Sequence, residues 1–219
     1  MINHYFVAGV VGDCIYALPD AGLHQPIYKY DPKELRWKSA ENTLKGGKTG
    51  FSLAVLDDYI YIIGGYKGST VTDTVERYHP RTNSWCNVAN MLTKRAEGST
   101  VVQDGFIYII GGSSPNTTIE RYNPHSNQWS FICNLSNGQF KVSTATSMEG
   151  KIYAIGAENE SYSNNIVLQF NPTTNSWKRV APLLCNSYNP HSSVILDRYI
   201  FFIPWSGSTS VHKYESCSY

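Results

Sequence analysis

Apolar residues in this chain come in short runs, set in pairs and separated by turn-forming residues. The clearest stretch begins at Ser52, where a β-branched and apolar run reaches Leu56, turns at Asp57-Asp58, and continues as a near-unbroken apolar run from Tyr59 to Ile63. That pattern predicts a hairpin whose second strand is buried on both faces. The pair Gly64-Gly65 ends the strand and lets the backbone pass close to a neighbour. After a polar loop from Tyr66 to Asp73, Thr74 to Tyr78 alternates and reads as a third strand. His79-Pro80-Arg81-Thr82-Asn83 supplies a turn, with Pro fixing one φ and Asn tolerating a positive one. Trp85 to Val88 then forms a short fourth strand, so the stretch predicts a small four-stranded antiparallel sheet.

The same pattern recurs along the chain. An aromatic, a polar residue and Pro, followed by Trp seven residues after the aromatic, occurs as Tyr30-Asp31-Pro32 to Trp37 and as Tyr78-His79-Pro80 to Trp85. It returns as Tyr122-Asn123-Pro124 to Trp129 and as Phe170-Asn171-Pro172 to Trp177. A second mark keeps step with it: Ile15-Tyr16, Ile60-Tyr61, Ile107-Tyr108, Ile152-Tyr153 and Ile200-Phe201. Repeats fall at about 4–45, 46–92, 93–137, 138–184 and 185–219, the last one partial.

One such sheet cannot bury both faces alone. Stacking it on its copies around an axis does so, which predicts an all-β propeller of four full four-stranded blades and a partial fifth. The repeated Tyr and Trp are expected to supply apolar area between neighbouring sheets. Trp85 and Trp129 should therefore lie at blade-to-blade contacts, where Trp→Ala costs about 3–5 kcal/mol.

At these residues the chain resembles the Kelch repeat. Val75-Glu76-Arg77-Tyr78-His79-Pro80, Ile119-Glu120-Arg121-Tyr122-Asn123-Pro124, and Asn175-Ser176-Trp177 followed by Val180-Ala181-Pro182-Leu183 look most like the repeats of BTB–Kelch proteins. The glycine pair is replaced by Pro19-Asp20 in repeat one, Gly156-Ala157 in repeat four and Pro204-Trp205 in repeat five, which leaves the backbone path open there. The resemblance implies a protein-interaction module, the substrate-recognition domain of an adaptor for a cullin-RING ubiquitin ligase. The alternative is an actin- or cytoskeleton-binding Kelch protein. It also implies an N-terminal BTB domain and a BACK region, through which cullin would be bound, and neither lies in these 219 residues. The expectation is a short isoform or a carboxy-terminal part of a longer protein, unless the ring closes with five blades.

Composition narrows the chemistry. Lys plus Arg number 18 and Asp plus Glu 17, which argues against a broad electrostatic footprint for nucleic acid or an anionic membrane. Charged residues make up 16% and aromatics 13%, which suits packed strands rather than disorder. The apolar start from Tyr5 to Leu18 lacks a basic lead and contains Asp13, so it reads as folded repeat rather than a leader. Cys14, Cys86, Cys133, Cys185 and Cys217 are scattered and odd in number, which predicts free thiols in a reducing, cytoplasmic setting. Three glycosylation sequons, at Asn116, Asn134 and Asn159, are short enough to arise by chance in an Asn-rich chain.

The six His form no close ligand pair, and no metal or other cofactor is expected. There is no Gly-x-Ser-x-Gly elbow, and Gly46-Gly47-Lys48-Thr49 lacks the first glycine of a phosphate-binding loop and precedes a strand. No enzymatic activity is expected. A Kelch-type metal-dependent oxidase is the remote alternative.

Propeller loops that gather around the axis are the natural binding surface, because loops vary while strands are shared. The candidates for a protein or peptide partner there are Lys48, Tyr66, Lys67, Arg95, Asn116, Phe140, Tyr162, Tyr188 and Trp205. Lys48, Arg95, Phe140 and Tyr188 stand twelve residues before the Ile of successive Ile-aromatic pairs. They are therefore expected on one ring, where two cations and two aromatics suit an acidic or aromatic-bearing peptide.

Overall fold

A computed structural model of the chain describes residues 6–20, 26–43, 47–113, 117–135, 140–158, 166–183, 190–204 and 211–215. The described residues form the blades of an all-β propeller. Strands β1 (Phe6–Val11), β2 (Cys14–Pro19), β3 (Pro26–Asp31) and β4 (Arg36–Thr43) make the first antiparallel sheet, in chain order. In the second repeat β5 (Lys48–Thr49) precedes β6 (Ser52–Leu56) and β7 (Tyr59–Ile63). Two further short strands follow, β8 (Tyr66–Lys67) and β9 (Thr70–Val71), before β10 (Val75–His79) and β11 (Ser84–Val88). The blade itself is β11-β10-β7-β6, and β5, β8 and β9 form a separate three-stranded sheet.

The third blade is β12 (Ser99–Gln103), β13 (Phe106–Ile110), β14 (Thr118–Asn123) and β15 (Gln128–Asn134). The fourth is β16 (Phe140–Met148), β17 (Lys151–Glu158), β18 (Ile166–Asn171) and β19 (Ser176–Arg179). The partial fifth is β20 (Pro190–Leu196), β21 (Tyr199–Pro204) and β22 (His212–Glu215).

The seven-residue spacing from aromatic to Trp has a direct cause. It spans the β-turn between third and fourth strands, so that Tyr30 lies opposite Trp37, Tyr78 opposite Trp85 and Phe170 opposite Trp177. Ring centroids in these pairs are 5.3, 5.0 and 5.0 Å apart, the distance of packed aromatic neighbours. The turn needs a residue with positive φ, and Asn83, Asn127 and Asn175 supply it at 51°, 51° and 50°. Leu35 occupies that place in repeat one at 52°.

The chain divides into two compact units. One comprises Met1–Gly98, Gly105–Ile107 and Tyr122–Ser130, and the other holds the remaining residues. Within the first, blades one and two share a core of Tyr16, Leu18, Ile27, Phe51, Ile60, Ile62 and Tyr78, with Trp85 packed against it. Tyr61 meets Tyr122 of the following repeat at 5.8 Å. Trp129 is 7% exposed, and its Nε1–H donates to the Ala89 carbonyl at 2.9 Å, tying repeat three to repeat two. Both Trp85 and Trp129 thus lie at blade-to-blade contacts.

Within the second unit the same interlock returns. Tyr108 meets Phe170 at 6.3 Å and Tyr153 meets Tyr214 at 6.2 Å. The Tyr of each Ile-Tyr pair therefore packs on the aromatic of the next repeat, which is why the two sequence marks keep step. Cys14, Cys86 and Cys133 are free thiols, while Cys185 and Cys217 lie outside the described residues.

Candidate partner-binding loop face

The loop-face residues that are described concentrate around the second repeat, where Gly64-Gly65 stops β7 at Ile63. Both glycines have positive φ, 65° and 95°. Gly64 N–H donates to the Thr74 carbonyl at 3.0 Å, and Gly65 N–H to the Arg95 carbonyl at 2.8 Å. Arg95 N–H in turn donates to the Thr72 carbonyl at 3.1 Å. A Cβ on Gly64 would collide with the Arg95 carbonyl, and one on Gly65 would come within 2.7 Å of the Thr49 carbonyl. The glycine pair is what lets the loop before repeat three seat against repeat two.

Lys48 lies beneath this arrangement. Its ammonium donates to Thr74 Oγ1 at 2.8 Å and pairs with Glu76 Oε1 at 3.5 Å. The Thr74 hydroxyl donates onward to Thr72 Oγ1, and the Thr72 hydroxyl to the Gly65 carbonyl at 3.1 Å. This donor chain reaches from a buried cation to the glycine pair. Burial pushes the Lys48 ammonium below its usual range, an effect that the Glu76 carboxylate opposes.

The small sheet β5-β8-β9 holds Tyr66 half-buried and Lys67 exposed, with Tyr66 paired to Thr49 and Lys67 to Lys48. The Tyr66 ring lies against Gly50, where an added Cβ would stand 3.1 Å from it and 3.4 Å from Glu97 Cγ. Gly50 is held from both sides. Its N–H donates to Asp20 Oδ1 at 2.7 Å, and its carbonyl accepts from Glu97 N–H at 2.7 Å. Burial raises the Asp20 carboxyl, and the nearby Glu97 charge adds to the rise.

The nine sequence candidates thus fall into three groups. Tyr66 and Lys67 stand together and reach solvent. Lys48, Arg95 and Phe140 are 4%, 1% and 2% exposed, so their side chains are interior rather than projecting from loop tips. Asn116, Tyr162, Tyr188 and Trp205 lie outside the described residues. Equal register in the repeat predicts equal depth in a blade, but it does not tell an inner packing position from a solvent-facing one.

Sequence reasoning missed Asp20 and Glu97. The signal was present in the departure of repeat one from the glycine pair. Asp20 takes the place of Gly65 and reaches the following repeat through its side chain, which accepts from Gly50 N–H, whereas Gly65 reaches it by donating its own N–H to the Arg95 carbonyl.

The Tyr, Cys and His residues on the opposite end of the second blade are engaged in local structure. Cys86 Sγ accepts from Arg77 Nε at 3.2 Å, Arg77 stacks over the Tyr59 ring at 4.3 Å, and Tyr59 packs on His79 at 4.8 Å. His79 Nδ1 accepts from Thr82 N–H at 3.1 Å.

Comparison with known proteins places these features in a family. The Kelch motif matches residues 47–92, 94–135 and 143–184, together more than half of the chain. Kelch-like protein 23 of Homo sapiens is 30% identical over 195 residues, covering 84% of this chain and 34% of that protein. Kelch-like protein 36 of Rattus norvegicus is 28% identical over 171 residues, covering 72% of this chain and 27% of that protein. The chain thus spans about a third or less of the length of these curated relatives. The solved structure of YjhT superposes with a TM-score of 0.75 at 19% identity, covering 91% of this chain and 71% of that one, a likeness of fold. With the motif matched in three successive repeats and the aromatic interlock carried through each of them, the chain belongs to the Kelch-repeat family.

Proposed function

We propose that this chain is the substrate-recognition part of an adaptor for a cullin-RING ubiquitin ligase, holding a protein partner on its loop face. Similarity to Kelch-like proteins supports the reading, and the platform in the second repeat is the observation that carries it. There the glycine pair, the clamped backbone of Arg95 and the Lys48–Thr74–Thr72 chain hold Tyr66 and Lys67 in fixed positions on an exposed sheet. An aromatic and a cation on a rigid base make a recognition surface, since little side-chain and loop freedom is lost on binding. Direct contact falls to Tyr66 and Lys67, whereas Lys48 and Arg95 position them from below.

Proximity labelling with the intact gene product tests this. A Tyr66→Ala, Lys67→Glu double variant is expected to lose specific partners while keeping its thermal stability. Retention of every partner by the folded variant overturns the placement of the site. Co-purification with cullin that depends on a BTB region in the intact product supports the adaptor role. Unaided co-sedimentation with actin filaments favours the cytoskeletal alternative instead.

A further inference from the structure

Repeat one ties itself to repeat two with an acid where the other repeats carry an uncharged residue. Asp20 stands five residues after the Ile of its Ile-aromatic pair, and the corresponding residues are Gly65, Gly112, Ala157 and Trp205. Its carboxylate accepts from Gly50 N–H at 2.7 Å in a half-buried setting. A second acid is attached to the same glycine. Glu97 N–H donates to the Gly50 carbonyl at 2.7 Å, and Glu97 Cγ borders the space where a Cβ on Gly50 would stand. Glu97 occupies in repeat three the place that Gly50 has in repeat two, ten residues before the Ile, and takes a left-handed φ of 56° beside the 59° of Gly50. A residue other than glycine is strained there, and such strain gathers at clamps and switches.

The glycine that the two acids hold is the seat of Tyr66. The edge of the Tyr66 ring would stand 3.1 Å from a Cβ on Gly50, and Tyr66 pairs with Thr49, the residue before it. A shift of Gly50 therefore reaches both the ring and the backbone of Tyr66. Among the described residues, Glu97 is the charged group that faces Asp20 from the segment before β12. On the segment that holds Gly50, Lys48 is engaged by Thr74 and Glu76, and on β8 Lys67 reaches solvent. Burial and the Glu97 charge hold the Asp20 carboxyl above its usual range, against the opposing pull of the Gly50 N–H. A carboxyl raised in the clamped state binds its proton more tightly there than when released to water. Proton uptake therefore favours the clamped state. The gain is complete below the ordinary Asp value of about 3.9 and is lost as pH rises through the raised one.

We propose that Asp20 and Glu97 form a proton-operated clamp on Gly50, which sets how firmly Tyr66 is held. This is a regulation of the partner site proposed above and rests on that reading. With both carboxylates charged their repulsion loosens the clamp, and one proton taken up by Asp20 tightens it. The neutral acid still offers an oxygen to the Gly50 N–H.

NMR titration of the 219-residue chain from neutral pH to about pH 4 is the test, read at the Gly50 amide and the Tyr66 ring. Both signals are expected to move together, with one midpoint above about 3.9. Glu97→Gln removes the neighbouring charge and is expected to lower that midpoint by about half a pH unit. Asp20→Asn keeps the acceptor and removes the charge. It is expected to abolish the shared titration and, already at neutral pH, to place the Tyr66 ring signal where the unchanged chain has it in acid. A Gly50 midpoint in the ordinary Asp range, a midpoint that Glu97→Gln leaves unmoved, or a Tyr66 ring that does not follow Gly50 overturns the clamp, whatever the partner does. Proximity labelling with the intact gene product forms the second arm, where Asp20→Asn is expected to raise partner labelling about twofold or more. Unchanged labelling overturns the regulatory role. Retention of every partner by the Tyr66→Ala, Lys67→Glu variant removes the site and that role with it, while the titration of the clamp stands.

Discussion

The second and fourth repeats share strand order, a Trp and a turn Asn, yet they are braced by opposite chemistry at the loop end. The second places Lys48, Thr74 and Glu76 in a hydrogen-bonded and ionic set. At the corresponding places the fourth has Phe140, Ile166 and Leu168, all buried. The second stops its inner strand at Gly64-Gly65 and builds a separate small sheet beyond it. In the fourth, Gly156-Ala157 lets β17 run on to Glu158, and β16 lengthens with it back to Phe140 across a bulge between Val142 and Thr144. One repeat template therefore yields either a separate polar platform or a longer apolar hairpin. The choice is set by the glycine pair and by three inner residues.

If the polar set is a structural equivalent of the apolar one, breaking it and replacing it should have very different effects. Glu76→Leu alone leaves the Lys48 charge buried without its carboxylate, and is expected to cost about 3 kcal/mol. The triple change Lys48→Phe, Thr74→Ile, Glu76→Leu transplants the fourth repeat's set and is expected to recover most of that loss. Urea unfolding of the single and triple variants reads the difference. A triple variant as unstable as the single one would show that the two sets are not interchangeable.

The glycine positions differ in the same way. Gly65→Ala places a Cβ near the Thr49 carbonyl at a φ of 95°, and should cost about 2 kcal/mol. Ala157 sits within a regular strand, so Ala157→Gly should cost only about 0.5–1 kcal/mol. Thermal melts of the two variants, taken together, check the contrast.

Tyrosine hydroxyls sharpen it further. Tyr78 and Tyr122 donate to Asn83 and Asn127 Oδ1 at 2.8 and 2.9 Å, whereas the fourth repeat has Phe170 facing the same turn. Tyr122→Phe is expected to cost about 1 kcal/mol at neutral pH. Burial pushes the Tyr122 phenol from 10.0 up to about 12. Above pH 10 the unfolded chain releases this proton while the folded one keeps it, so stability falls between pH 10 and about 12. The Phe variant lacks that contribution, and its stability profile over this range should be correspondingly flatter.

In repeat one a gain rather than a loss is expected. Leu35→Asn relieves a left-handed backbone at an exposed position and offers Tyr30 the acceptor its counterparts have. It should gain about 1 kcal/mol, measurable as a raised melting temperature.

The strands were readable in the sequence because each carries a local cause. The Ile-Tyr pairs, the turn Asn residues and the seven-residue spacing to Trp are short-range patterns, and the hairpin over 52–63 forms where its alternation places it. The depth of Lys48 and Arg95 was not readable. A cation twelve residues before an Ile-Tyr pair looks like a loop residue until Thr74 and Glu76, twenty-six and twenty-eight residues on, are seen to fold back onto it. Asp20 was hidden for a related reason. Its role depends on Gly50, thirty residues away, whose N–H only the fold brings within reach.

Several ties between neighbouring repeats also bear on how the protein folds and opens. Ser52 Oγ donates to the Gly98 carbonyl, Ala145 N–H to Ser99 Oγ, and Thr144 Oγ1 meets Ser193 Oγ, at separations of 46, 46 and 49 residues. Each closes a loop about one repeat long. Loop-closure entropy grows only logarithmically with length, so every such step faces a similar entropic barrier. Coupling of this kind is carried from neighbour to neighbour, as in other repeat proteins. Amide exchange should then be graded across each blade, slowest in buried inner strands such as β7 and β13 and fastest in exposed outer strands such as β11.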